Sequence, residues 1–173
     1  GRADRRWGVP FTVNTPTSAA SATKGFTALA AMALVERGTI GLDTTARSLL
    51  GGDLPLIDDA VTVELLLAHR SGIGDYFDES VRQSVNDYPV PVPVHRLDTT
   101  EAFVGVLDGH PQVSPPGERF AYNNGGFVVL ALLVERAAAT PYAQLVDELV
   151  CRPAGLTATG FIRSDSLPPG VAT

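Results

Sequence analysis

Lysine is almost missing from this chain. Of its 13 basic residues only Lys24 is a lysine; the rest are arginines. Cysteine is scarcer than the fold classes built on it require. Cys151 stands alone, which excludes an internal disulfide framework and a two-thiol metal site. It follows an apolar helical run and reads as a small buried hydrophobe. The three histidines, His69, His95 and His110, are scattered without ligand spacing, which argues against zinc. No apolar run approaches the roughly 18 residues that span a bilayer; Phe127 to Val134, as long as any, falls far short. There is no basic stripe and the net charge is −6, so nucleic acid is not an expected partner. Repeats and low-complexity tracts are absent. No signal-peptide pattern opens the sequence, which leaves cytoplasmic and exported locations both open.

What is present reads as one globular domain. The chain has 173 residues, 45% of them apolar and 18% charged, enough for a real core. Phe11 and Val13 alternate with Thr12 and Asn14, a short strand pattern. From Ser21 to Val35 the text is helical and apolar around its circumference, so this helix is expected to be buried on most sides. Gly38 supplies its stop. Thr62 caps a short helix, Val63 to Ala68, ended by Ser71-Gly72 and Gly74. Residues 75 to 98 form a long irregular segment with the run Pro89-Val90-Pro91-Val92-Pro93. Thr99 or Thr100 caps a helix ending near Gly109, and a third apolar helix runs from about Gly126 to Ala138. Thr140 then serves as N-cap and Pro141 as first residue of a fourth helix, which ends near Pro153. Gly160-Phe161-Ile162 reads as a returning strand. The coarse picture is helix-rich, with strand fragments only at the two ends, whose partners are expected outside this chain.

The lone lysine is the first chemical signal. Arginine cannot give up its proton in a protein, whereas lysine can, so a site that needs an amine as base must use lysine. Lys24 lies three residues after Ser21 in Ser21-Ala22-Thr23-Lys24, and positions i and i+3 share a helix face. Serine alone is a weak nucleophile and is activated by an adjacent base. The positive end of a helix favours a developing oxyanion beside it. A chance pairing is the competing reading, since a given lysine has a serine at that offset about one time in twenty.

The second signal is Pro116-Gly117-Glu118-Arg119-Phe120-Ala121-Tyr122-Asn123-Asn124. Tyr122 and Asn124, two apart on a turn, can point to one side; the phenol can relay a proton and the amide can bond both an amine and a substrate. The plainer reading is a turn in which Asn124 caps the next helix. In the third segment, His69-Arg70-Ser71-Gly72-Ile73-Gly74, a helix end followed by a glycine turn is favoured, with His69 structural and not a base.

Together these segments resemble the serine beta-lactamase and penicillin-binding-protein superfamily, most closely its class C branch with the related esterases and D-amino-acid peptidases. Tyr122-Asn123-Asn124 matches the Tyr-x-Asn motif of that branch. Supporting text includes Phe26-Thr27-Ala28-Leu29, Gly41-Leu42-Asp43, Leu66-Leu67-Ala68-His69 and Pro153-Ala154-Gly155-Leu156. The match runs in order along nearly the whole chain; Thr17 departs from it, where the family often has a bulky apolar residue.

The resemblance implies an α+β fold, the beta-lactamase-like α/β/α sandwich, of which this chain would be mainly the helical region. It implies acyl transfer, with Ser21 attacking a carbonyl, Lys24 and Tyr122 sharing the proton traffic and Asn124 positioning the substrate. One oxyanion donor would be the backbone N–H of Ser21. No metal or organic cofactor is implied. The partner is a small-molecule or peptide substrate, and the oligomeric state is left open. An ester, an amide and a beta-lactam all remain possible substrates. So do a D-alanyl-D-alanine carboxypeptidase and a non-catalytic domain that keeps the fold. Tyr76 and Phe77 are the candidates to line a cleft. The family completes its site with a Lys-Thr-Gly or His-x-Gly triad on a C-terminal strand. No second lysine exists here, and neither His95 nor His110 begins such a triad. Residues 1–173 are therefore expected to be a partial domain, lacking the first helix and strand and the strands with the third motif.

Overall fold

In the computed structural model residues 1–77, 90 and 92–163 are described. Two short strands, β1 (Arg2–Asp4) and β2 (Val9–Pro10), pair antiparallel with Arg2 opposite Pro10. The Asp4 carboxylate accepts the Trp7 N–H in the turn between them. The strand expected at Phe11 to Asn14 is not formed: β2 ends at Pro10, the Phe11 N–H bonds across to the Gly1 carbonyl at 3.0 Å, and Val13 is fully exposed. Alternation alone marked it, but with one apolar side chain in solvent there is no face to bury.

Helix α1 (Thr23–Glu36) follows a 3₁₀ turn at Ala20–Ala22. It buries Thr27, Ala30, Ala31 and Leu34, one stripe at helical spacing, while Leu29 is 58% and Met32 43% exposed. The expectation of burial on most sides therefore fails for α1. The helix buried on most sides is α5 (Asn124–Ala138), which runs through the centre and buries every residue from Val129 to Val134. Alanine-rich text hides the polarity of a face, because alanine is tolerated in core and solvent alike.

Around α5 pack α1, α3 (Val63–Leu67), α2 (Ala46–Leu50) and α6 (Tyr142–Val146). Thr62 caps α3 as expected, its hydroxyl accepting from Leu65 N–H. Helix α2, capped by Thr45, was not legible, since five residues carry too little periodicity to read. Thr100 holds the N-cap position of the next helical segment, but the capping bond comes from Thr99, whose hydroxyl accepts the Ala102 N–H; the segment starts as a 3₁₀ turn, Glu101–Phe103, and continues as α4 (Val104–Leu107). Thr140 does not cap α6. Its hydroxyl turns back to the Ala138 carbonyl, Pro141 takes the cap position, and the Tyr142 N–H is satisfied by Glu135 instead. A π turn, Asp147–Cys151, ends this helix and buries Cys151 as the sequence led us to expect. Residues 160–162 are not a strand. Pro89 and Pro91 of the Pro89 to Pro93 run and most of the 75–98 segment lie outside the described residues, as do Pro169 to Thr173.

Arg136, near the end of α5, fastens the far side of this assembly. Its guanidinium donates to Asp53, to both oxygens of Glu101 and to the carbonyls of Leu49 and Leu50. That bonding holds the Glu101 carboxyl below its usual range. Among the described residues no single helix is long and apolar enough to cross a membrane.

Candidate active site

The packing of α1 against α5 brings their N-terminal turns together at one end of the bundle. Ser21 lies on the 3₁₀ turn that feeds α1, and Lys24 is one turn further on, in the first turn of α1. Lys24 Nζ reaches Ser21 Oγ at 3.4 Å and donates to Asn124 Oδ1 at 2.8 Å. Tyr122 OH donates to Ser21 Oγ at 3.1 Å. The Lys24 ammonium also sits 4.9 Å from the Tyr122 ring centroid and 5.9 Å from that of Phe127, within cation–π range. All four residues singled out in the sequence are thus brought to one place.

Ser21 and Tyr122 are exposed, the latter by 51%, while Lys24 and Asn124 are half-buried. The Ser21 side chain therefore lies on the exposed side and the Lys24 amine sits behind it. Ala20, immediately before the serine, has φ +44, a left-handed conformation costly for a residue with a Cβ. The serine is therefore presented from a sharply turned backbone.

Asn124 is free to meet Lys24 because it is not the helix cap. That role belongs to Asn123, whose Oδ1 accepts Gly126 N–H at 2.6 Å and whose Nδ2 donates to the Ile73 carbonyl at 2.8 Å. The capping position is one residue earlier than the sequence reading placed it. The first turn of α5 then has two further N–H groups to satisfy, and Asp75 accepts both: Asn124 N–H at 2.6 Å and Gly125 N–H at 2.9 Å. Its Oδ1 also accepts the Phe77 N–H at 3.0 Å. A carboxylate at the positive end of a helix is electrostatically placed. Sequence reasoning missed Asp75, because a lone loop aspartate 49 residues from its partner leaves no local pattern.

His69 lies at the helix end where the sequence placed it. Its φ of +53 ends α3, so the histidine itself, ahead of Gly72, makes the left-handed stop. Burial and the Lys24 charge push its pKa down from the ordinary value, while Asp75 acts weakly the other way. Tyr76, packed against Phe77 and Phe103, has its phenol pushed up by burial and then by Asp75. Across the helix pair, buried Thr27 and half-buried Tyr142 share a 2.6 Å hydroxyl contact that ties α1 to α6. No cluster of histidine, cysteine and carboxylate side chains able to hold a metal exists among the described residues.

Such an arrangement can do nucleophilic chemistry. A hydroxyl receives hydrogen bonds from an amine and a phenol, at the positive end of a 14-residue helix, with its amine oriented by an amide oxygen.

The chain is similar to known proteins along most of its length. The chain is 33% identical to esterase EstB of Burkholderia gladioli over 95% of its own length and 43% of the esterase. It is 30% identical to penicillin-binding protein 4* of Bacillus subtilis (strain 168), covering 87% of the chain and 31% of that protein. The crystal structure of a penicillin binding protein from Bacillus halodurans superposes with a TM-score of 0.90 at 35% identity, over 99% of this chain and 52% of that one. The chain thus spans half or less of the curated relatives it matches, and its helices adopt the beta-lactamase-like fold. The Beta-lactamase family model matches residues 1–173, and the chain belongs to that family.

Proposed function

We propose that this protein is a serine hydrolase that works by acyl transfer, forming an acyl-enzyme on Ser21 with an ester, amide or beta-lactam substrate. The observation that carries the reading is the convergence of Lys24 Nζ and Tyr122 OH on one oxygen, Ser21 Oγ. In acylation the Oγ attacks the substrate carbonyl carbon and its proton passes into the Lys24–Tyr122 pair. The leaving group takes a proton from the same pair as the tetrahedral intermediate collapses. Water then attacks the acyl carbonyl and gives a proton to the pair; the acyl–Oγ bond breaks as Ser21 Oγ takes that proton back, which releases the acid and restores the site. Asn124, bonded to Lys24 through its oxygen, keeps its amide N–H₂ for substrate.

The names of the relatives support this class: an esterase and penicillin-binding proteins share the family. The residues described form one wall of the site in this reading. Exposed Ser21 and Tyr122, with exposed Leu29 and Met32 on α1, fit a cleft and a sheet contributed by the remainder of a longer domain.

The test is turnover of p-nitrophenyl esters, nitrocefin and D-Ala-D-Ala peptides by the full gene product and by Ser21→Ala. Hydrolysis of at least one substrate class that disappears in the variant supports the proposal. Turnover that survives Ser21→Ala contradicts it.

A further inference from the structure

Tyr122 is held from both flanks by a single residue. The His69 carbonyl accepts the Ala121 N–H at 2.8 Å, and His69 Nδ1 accepts the Asn123 N–H at 3.1 Å. Between these two bonds lies Tyr122, whose ring centroid is 4.6 Å from that of the imidazole, tilted by 32°. Phe127 of α5 supports the imidazole at 4.8 Å, and Phe120 meets it edge-on at 5.8 Å. The phenol placed in this way reaches Ser21 Oγ.

We infer that His69 is the positioning residue for Tyr122, acting through an imidazole whose bare Nδ1 accepts the Asn123 N–H while its face carries the phenol ring. This inference rests on the reading of Tyr122 as part of the proton pair. Any residue at position 69 has a carbonyl for Ala121, so the specific parts are the ring and Nδ1. Asn123 is buried, and an N–H left without a partner there costs about 1–3 kcal/mol. The chain therefore shifts if Nδ1 is protonated or removed, and Tyr122 shifts with it.

The surroundings favour the neutral ring. Lys24 faces it from α1, Asp75 from the loop after α3, and Tyr122 from the segment before α5; α5 itself presents the uncharged Phe127. Burial and Lys24 outweigh Asp75, so the ring stays neutral to lower pH than a free histidine.

Two variants separate the parts. His69→Asn keeps an acceptor at the Nδ1 distance from the backbone and tolerates the left-handed conformation. His69→Phe keeps a ring and loses the acceptor. In the full gene product we expect kcat to fall by about 10²-fold in His69→Phe, with KM little changed, since a misplaced group costs about that much. In His69→Asn we expect a loss below about tenfold, with a weaker acid limb in the kcat–pH profile because asparagine does not titrate. Equal losses in both variants, or a wild-type kcat in His69→Phe, overturn the inference.

Nitrogen-15 NMR of the His69 ring provides a readout independent of turnover and of variant folding. An unprotonated Nδ1 at neutral pH is expected, and a protonated Nδ1 overturns the positioning claim. A wild type that hydrolyses nothing but shows the bare Nδ1 defeats the functional reading and leaves the contact standing.

Discussion

Lys24 Nζ and Asn124 Oδ1 meet at 2.8 Å, although 100 residues of chain separate them. Each sits in the first turn of its helix, and these helices pack side by side. The contact therefore ties the nucleophile's helix to the central helix at the point where the chemistry is proposed. It also orients the amine, because one Nζ–H is held by the amide oxygen while Nζ stays beside Ser21 Oγ.

Lys24→Arg is expected to lose nearly as much kcat as Lys24→Ala. Arginine keeps the charge but cannot serve as a base. Side-by-side ester turnover by the two variants is the check, and substantial rescue by arginine indicates that charge alone matters.

Asn124→Asp nearly preserves shape but places a carboxylate against the amine. An ammonium held by a carboxylate does not accept a proton, so kcat is expected to fall by at least as much as in Asn124→Ala. A more active aspartate variant shows that the amide is not tuning the amine. Circular dichroism should show both variants folded, since Asn123 and Asp75 cap α5 without the Asn124 side chain.

Gly72→Ala is expected to destabilise the protein by at least about 2 kcal/mol. Gly72 has φ +69, and a Cβ there would lie 2.2 Å from the Ser114 backbone oxygen. A strained backbone position alone costs about 1–3 kcal/mol, and the backbone clash adds to it. Chemical denaturation measures the loss.

His69 gives stability a definite pH dependence. Its folded pKa lies below its ordinary value, so the folded state binds fewer protons than the unfolded chain as the pH falls through that interval. The contribution is fully present above about pH 6.5 and is lost as the pH drops through the lower folded value. Unfolding titrations between pH 7.5 and 5 should show His69→Asn with a flatter decline than wild type; identical slopes indicate that His69 is not responsible.

The parts of this site that were legible in the sequence are local patterns. Ser21 and Lys24 are one turn apart on one helix, and Tyr122 and Asn124 flank a helix start, so each pair carries its own geometry. The parts that were not legible depend on distant partners. Asp75 serves α5 from a loop, and its role exists only because α3 and α5 pack together. The cap fell to Asn123 because the Ile73 carbonyl and Gly126 N–H take its side chain, a choice adjacent asparagines do not reveal. The burial of α1 was overestimated for the same reason: only its packed neighbours show which alanines face inward.

The most direct measurement is covalent labelling of the full gene product with a fluorophosphonate, followed by peptide mapping. The account predicts one modified serine, Ser21, and no labelling in Ser21→Ala. Labelling on another residue, or undiminished labelling of Ser21→Ala, contradicts it.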